Sequence, residues 1–244
     1  MDAADRPRGR LPTGRAGLAS DRVDPTRPPG PRLPAPERRR QLLDVALEAF
    51  AANGFHVTSM DDIAEAAGVT KPVLYQHFRS KRALYLELLD DVGARLMDAI
   101  TKATATATGP RQQVEAGFAA YFRFVAVHEH AFRLLFGSLA RRDEEFSAAV
   151  RRVEDSIAGA VAERIDADID TAHRRLLAYA VVGMAEGASS HVVTRRSLAA
   201  RVDGTDGPVR ADRAEGEEID IDPDELAHRI AELAWAGLRG VGSS

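Results

Sequence analysis

From Glu37 onward the apolar positions recur at helical intervals, and nowhere do they alternate as they would along a half-buried strand. Leu42, Leu43, Ala46, Leu47 and Phe50 mark a first helix, stopped at Asn53-Gly54 because glycine accepts the left-handed conformation past a helix end. A second helix is predicted from Ser59, whose hydroxyl can cap the free amides of Met60, Asp61 and Asp62. Both aspartates also suit the positive end of its dipole. Ile63, Ala66 and Ala67 face inward before Gly68 breaks the chain. A short third helix starts at Thr70, tolerates Pro72 in its first turn and runs to about His77. Ser80 caps a long fourth helix carrying Leu84, Leu88, Val92 and Leu96, which ends before Gly109-Pro110.

The helical pattern continues to the C-terminus. Phe118, Phe122 and Val125 share one face, and Phe132, Leu135, Phe136 and Leu139 another. Further helices are expected within 146–165 and 172–193. Residues 199–220, rich in Asp, Gly, Arg and Glu, read as a flexible loop. The last helix has a strong start, with Asp222 as cap, Pro223 in the first position and Glu225 in the third, and runs to about Leu238. Residues 1–36 show no period and hold eight of the twelve prolines, so they read as a disordered arm. Seven arginines against four aspartates leave the arm at +3, and Arg38, Arg39 and Arg40 carry that charge into the first helix. The fold expected is all-α: a three-helix head over 37–82, then a larger helical domain over 83–244.

Composition narrows the function. The 244 residues carry 29% charged side chains and a net charge of −4, which does not exclude a DNA binder, because phosphates feel the local field. There is no cysteine, so disulfides, zinc-thiolate sites and cysteine nucleophiles are excluded, in keeping with a reducing cytoplasm. No apolar run is read as a membrane span, and the N-terminus lacks the apolar core of a secretory signal. No phosphate loop, nucleophile elbow or helical metal pair stands out, so neither a cofactor nor an enzymatic activity is expected. His128-Glu129-His130 has the wrong spacing for a metal on a helix, and His173 and His191 stand alone.

Two short helices joined by a glycine-containing turn form a helix-turn-helix. Ile63, Ala67, Val69, Leu74 and Phe78 would lock the pair. Thr70, Lys71, Pro72, Tyr75, Gln76 and His77 would then face a major groove, a mixture of donors, a cation and an aromatic. Thr58, Ser59 and Lys81 flank that face and can meet phosphates, and Arg38, Arg39 and Arg40 add salt-sensitive attraction.

In the second domain, Phe118, Phe122, Val125, Phe132, Leu135, Phe136 and Met184 are candidates to line a pocket for a small apolar effector. Packing of the core is the plainer role for most of them. The helix from Ala172 carries a narrow stripe of small residues, Ala180, Gly183, Gly187 and Ser190. The last helix has two apolar faces: Leu226, Ile230, Leu233 and Gly237 on one, Ala227, Ala231, Trp235 and Leu238 on the other. Of these, Ala231, Trp235 and Leu238 are expected, with the small stripe, to meet a second copy in a four-helix interface. A homodimer would set two heads about 34 Å apart, in successive major grooves. A helical ligand-binding protein or an enzyme without regulatory DNA binding is the alternative.

The run from Thr58 to Lys81, with Ile63-Ala64, Ala67-Gly68-Val69, Leu74-Tyr75, His77-Phe78 and Ser80-Lys81 in register, resembles the DNA-binding signature of the TetR family. That resemblance covers about residues 38–85. It implies a helical dimer whose second domain, on binding a ligand, changes the separation of two reading heads. It also implies that Thr58, Ser59, Lys71, Tyr75, His77 and Lys81 touch an operator. Pro72 departs from the Gly or Ala of many members. Arg32-Leu33-Pro34, the segment from Lys71 to Phe78, Val182-Gly183-Met184 and Trp235-Ala236-Gly237-Leu238 further resemble the actinobacterial regulators of fatty-acid synthase within that family. This second resemblance implies a long-chain acyl-CoA as effector.

Overall fold

The computed structural model describes residues 34–165, 167–203 and 221–241. Among them the chain forms helices and connecting turns with no strand. The head comprises α1 (Ala35–Asn53), α2 (Met60–Ala66) and α3 (Lys71–His77). Beyond the head come α4 (Lys81–Ala105), α5 (Pro110–Val127), α6 (Glu129–Phe136), α7 (Ser138–Arg142), α8 (Glu144–Ala162), α9 (Thr171–Asp203) and α10 (Pro223–Leu238).

The starts obey the expected chemistry. Ser59 forms a full capping box with Asp62, and the resulting hydrogen bonds hold the Asp62 carboxyl below its ordinary range. Ser80 accepts from the Ala83 amide. Asp222 accepts from the amides of Asp224 and Glu225, with Pro223 in the first turn. Gly68 sits at φ +63°, a backbone conformation that L side chains rarely adopt, and it makes the corner between α2 and α3.

Three expectations shift. Inside α2 it is Ala64 that is buried, whereas Ala66 is exposed. α9 continues to Asp203, past the residues expected to open the loop at 199, since Leu198-Ala199-Ala200-Arg201 are good helix formers. α1 takes in Ala35 and Pro36. The rest of the expected arm, and 204–220 of the expected loop, lie outside the described residues.

The short link from α4 to α5 makes them an antiparallel pair, and α10 packs along α5. α8 lies between α4 and α9. Leu84, Leu88, Leu89, Val92 and Leu96 of α4 are buried, and each contributes about 1.5–3 kcal/mol by leaving water. At Gly93 the α4 backbone meets α8 so closely that a Cβ there would lie 2.4 Å from a methyl of Val153. An aromatic cluster joins the head to the larger half. Tyr85 of α4 and Phe146 of α8 stand 4.5 Å apart, with Phe55 after α1 at 5.0 Å from Tyr85. Burial pushes the Tyr85 hydroxyl up to about 12.

α9 between Thr171 and Arg196 is, by length and composition alone, apolar enough to cross a membrane, which corrects the sequence reading. Its inner side packs on α8 and α5, with Ala178, Ala185, Ser189, Val192 and Val193 buried. On the same helix Glu186 pairs with Arg141 of α7. A core helix of a bundle passes the same composition test.

Candidate DNA interface and ligand cavity

α3 is anchored by its apolar side. Leu74 and Ile63 are fully buried and Phe78 nearly so, with Ala67 closing the corner and Val69 partly covered. What remains outward is Thr70, Lys71, Pro72, Tyr75 and Gln76, with His77 half-buried. Tyr75 is 43% exposed, so its ring stands open on the outer side of α3. Thr70 precedes α3 without using its hydroxyl as a cap. Lys71 Nζ reaches Asp61 of α2 at 2.9 Å, and that contact raises its pKa. Both partners are exposed, so the pair is weak and Lys71 can exchange Asp61 for a phosphate. Ser59 is exposed at the start of α2.

Three residues expected at DNA are turned to the scaffold instead. Thr58 is 1% exposed, and its hydroxyl donates to the carbonyls of Gly54 at 2.8 Å and Ala49 at 3.2 Å. Lys81 Nζ donates to the carbonyls of Phe55 at 2.6 Å and Thr58 at 2.8 Å, and lies 4.6 Å over the Phe55 ring. It therefore closes the α1–α2 loop, whose carbonyls no helix satisfies. Arg39 donates to the His77 carbonyl at 2.9 Å, pairs with Glu87 and stacks 4.5 Å over Phe78. It pins the end of α3 between α1 and α4. Arg38 and Arg40 are also engaged, with Gln41 at 2.7 Å and Asp91 at 3.3 Å.

The larger half contains a cavity of about 240 Å³ between the far ends of α4, α5, α8 and α10 and the middle of α9. Its walls are mainly apolar, including Ile100, Val114, Phe118, Val161, Val182 and Trp235. Arg164 and Arg239, at the ends of α8 and α10, also line it. Of the residues expected to line a pocket, only Phe118 does so. Phe122, Val125, Phe132 and Leu135 are buried in the core, and Phe136 and Met184 pack against it. One turn separates Phe118 from Phe122 on α5, and that turn is the boundary between the hollow and the solid part of the bundle.

The expected interface residues divide. Ala180, Gly183 and Gly187 are exposed and Ser190 half-exposed, and a Cβ at either glycine meets nothing within 4 Å. Ala231 is fully buried among its own chain's helices, because the small face of α10 allows close approach to α5. Trp235 and Leu238 line the cavity. The apolar side chain α10 leaves uncovered is Leu233, 63% exposed, and on α9 it is Leu176 at 67%. Among the described residues no cluster of potential metal ligands occurs.

A three-helix head with an outward-facing second helix of a helix-turn-helix, joined to a hollow helical half, defines a DNA-binding regulator of transcription. The chain belongs to the TetR family. Residues 42–88 match the family described as bacterial regulatory proteins of the tetR family, and residues 110–237 the tetracyclin repressor-like C-terminal domain. The HTH-type transcriptional activator FasR of Mycolicibacterium smegmatis is 34% identical over 214 residues, 87% of this chain and 88% of the relative. A TetR-like transcriptional regulator from Rhodococcus sp. RHA1 superposes with a TM-score of 0.62 at 27% identity, over 86% of this chain and all of the other. FadR from Bacillus subtilis, solved with stearoyl-CoA, shares the fold at a TM-score of 0.61 and 17% identity, over 81% of this chain and 98% of the other. The family and these relatives are regulators of transcription, not enzymes.

Proposed function

We propose that two copies of the chain read an operator with paired α3 helices, and that an apolar effector in the cavity sets their affinity for it. The observation that carries this reading is continuity. α4 begins beside α3 and its last turns, from Met97 to Thr104, line the cavity. α8 begins at the aromatic cluster and ends in the same cavity wall. A change of shape in the cavity is thereby carried to the head by two rods that touch at Gly93 and Val153. The effector can shift operator affinity only as far as it binds the two arrangements differently.

On this reading Thr70, Lys71, Pro72, Tyr75, Gln76 and His77 meet the duplex, with Ser59 at a flanking phosphate. Arg39, Thr58 and Lys81 hold that face in place. The exposed small stripe on α9, in line with the uncovered Leu176, supports a homodimer, as does the uncovered Leu233 on α10. Acting on the chromosome, the protein works in the cytoplasm.

The effector class is argued from the lining. Apolar walls suit a hydrocarbon, and Arg164 and Arg239 suit a phosphate-bearing headgroup at the outer end. A long-chain acyl-CoA combines both, and the stearoyl-CoA of the Bacillus subtilis FadR structure makes that chemistry the first to test. Operator fragments selected from genomic DNA should bind with different affinity in the presence and absence of palmitoyl-CoA. Equal affinities discard acyl-CoA as effector, and the absence of any discrete binding site discards the regulator.

A further inference from the structure

The head spends most of its cations on its own scaffold. Arg39 holds the end of α3 and Lys81 closes the α1–α2 loop. Arg38, Arg40 and Arg82 meet Gln41, Asp91 and Asp143. Lys71 is paired with Asp61. Arg79 differs from all of these. It is exposed, and it has no hydrogen bond or ion pair among the described residues.

Its surroundings give this free cation a direction. α3 ends at His77, and Phe78 takes an extended conformation, φ −136° and ψ 115°, with its ring buried. Successive side chains of an extended chain point to opposite sides, so a buried Phe78 turns Arg79 outward. Ser80 then caps α4 and fixes the far side of the short link. Arg79 opens onto a concave surface shared with Tyr75 and Gln76, both exposed on the outer side of α3. Glu87 and Asp90 of α4 line the same surface, but Glu87 pairs with Arg39 and Asp90 with Arg152. Both nearby carboxylates are thus engaged elsewhere.

The spacing matters as well. Lys71 opens α3, and Arg79 lies two residues past its end. The helix between them is roughly 9 Å long, and a major groove is about 12 Å wide. One cation therefore stands at each end of a reading face about as long as the groove is wide.

We propose that Arg79 grips a backbone phosphate of the operator at the end of α3 opposite Lys71. The proposal rests on α3 being the reading element. A guanidinium offers two parallel donors that match phosphate oxygens. Placed beyond the helix end, it sets the position of the head on the duplex and reads no base. Arg79 gives up no internal partner on binding, whereas Lys71 must first leave Asp61.

Fluorescence anisotropy on the full-length protein tests this, with the fragment selected from genomic DNA and an unrelated duplex as probes. Arg79→Gln should lower the slope of log affinity against log salt by about 0.9 for each bound subunit, on both duplexes. Its affinity deficit should accordingly shrink roughly threefold per subunit between about 50 and 200 mM salt. Arg79→Lys keeps the charge and should keep the slope. Both variants should melt at the wild-type Tm, since no internal contact is lost. A wild-type slope in Arg79→Gln would overturn the proposal. So would a loss confined to the selected fragment, which marks a base contact, or a lowered Tm, which marks a structural partner. If Arg79→Gln behaves as wild type while Lys71→Ala and Tyr75→Ala are weakened, the phosphate contact fails alone. If all three behave as wild type, the choice of α3 as reading element fails with it.

Discussion

Arg82, in the first turn of α4, holds the Asp143 carboxylate through two hydrogen bonds, from Nη1 at 2.9 Å and Nη2 at 2.7 Å. Asp143 in turn caps α8 by accepting from the Glu145 and Phe146 amides. Arg82 also pairs with Glu145 and lies 4.5 Å over the Phe146 ring. One guanidinium therefore ties the helix next to the reading head to the start of the helix that ends in the cavity wall. The contact is exposed, so its interest lies in geometry more than in stability.

Hydrogen bonding from Arg82, and then from the Phe146 amide, holds the Asp143 carboxyl below the ordinary aspartate range. A lowered carboxyl pKa stabilises the fold above the unfolded value, near 3.9, and loses that contribution as pH falls through the folded value. Asp143→Asn keeps an oxygen for the cap and removes the charge. Its Tm deficit relative to wild type should be present at pH 6 and shrink below about pH 4. A deficit that stays constant with pH would show that the charge plays no part.

Glu154 on α8 has the opposite sign. Burial first, then the neighbouring Glu186, raises its pKa. A raised carboxyl pKa favours the fold below the unfolded value and loses that benefit as pH rises through the folded one. Glu154→Gln should therefore raise the Tm at pH 7 to 8 and leave it unchanged below about pH 4, near the unfolded glutamate value. A drop in Tm at pH 7 would mean that the carboxylate has a stabilising partner.

Gly93→Ala should destabilise the protein by about 1–3 kcal/mol, since the Val153 methyls cannot swing aside as a long flexible side chain would. Chemical denaturation measures this, with Gly159→Ala as a control. Gly159 is also on α8, but a Cβ there meets nothing within 4 Å, so ordinary helix propensity should make that change neutral or stabilising. Equal behaviour of the two variants would show that α4 and α8 are not packed at Gly93.

Gly187→Leu separates subunit packing from fold. Within one chain the new side chain meets open space, and leucine favours helix over glycine by about 0.8 kcal/mol. The helical content should hold while light scattering, on the homodimer reading, reports half the mass found for the wild type. An unchanged dimer of Gly187→Leu would place the interface elsewhere.

Much of this architecture is readable in the chain because it rests on local chemistry. Ser59, Ser80 and Asp222 cap α2, α4 and α10, Gly68 makes a corner other residues resist, and Leu74 and Phe78 face inward by spacing. The roles of Arg39 and Lys81 are not readable, since their partners are backbone carbonyls 38 and 26 residues away, which leave no mark on side-chain pattern. The cavity is hidden for a related reason. Phe118 and Phe122 have the same period and environment in sequence, and only the spreading of helix ends distinguishes hollow from core. For α10, two apolar faces are visible, but periodicity cannot say that small Ala227, Ala231 and Ala234 turn inward while Leu233 stays out.

The central claim, that α3 is the reading element, is tested most directly by the salt dependence of binding to a fragment selected from genomic DNA. Fluorescence anisotropy on wild type, Lys71→Ala, Tyr75→Ala and Lys81→Met would supply it. Lys71→Ala should weaken binding and lower the slope of log affinity against log salt by about 1 per site. Tyr75→Ala should cost about 1–3 kcal/mol of affinity with dimerisation intact. Lys81→Met should keep the slope and lower the Tm, since it leaves loop carbonyls without their donor. Wild-type affinity and slope in both Lys71→Ala and Tyr75→Ala would contradict the account.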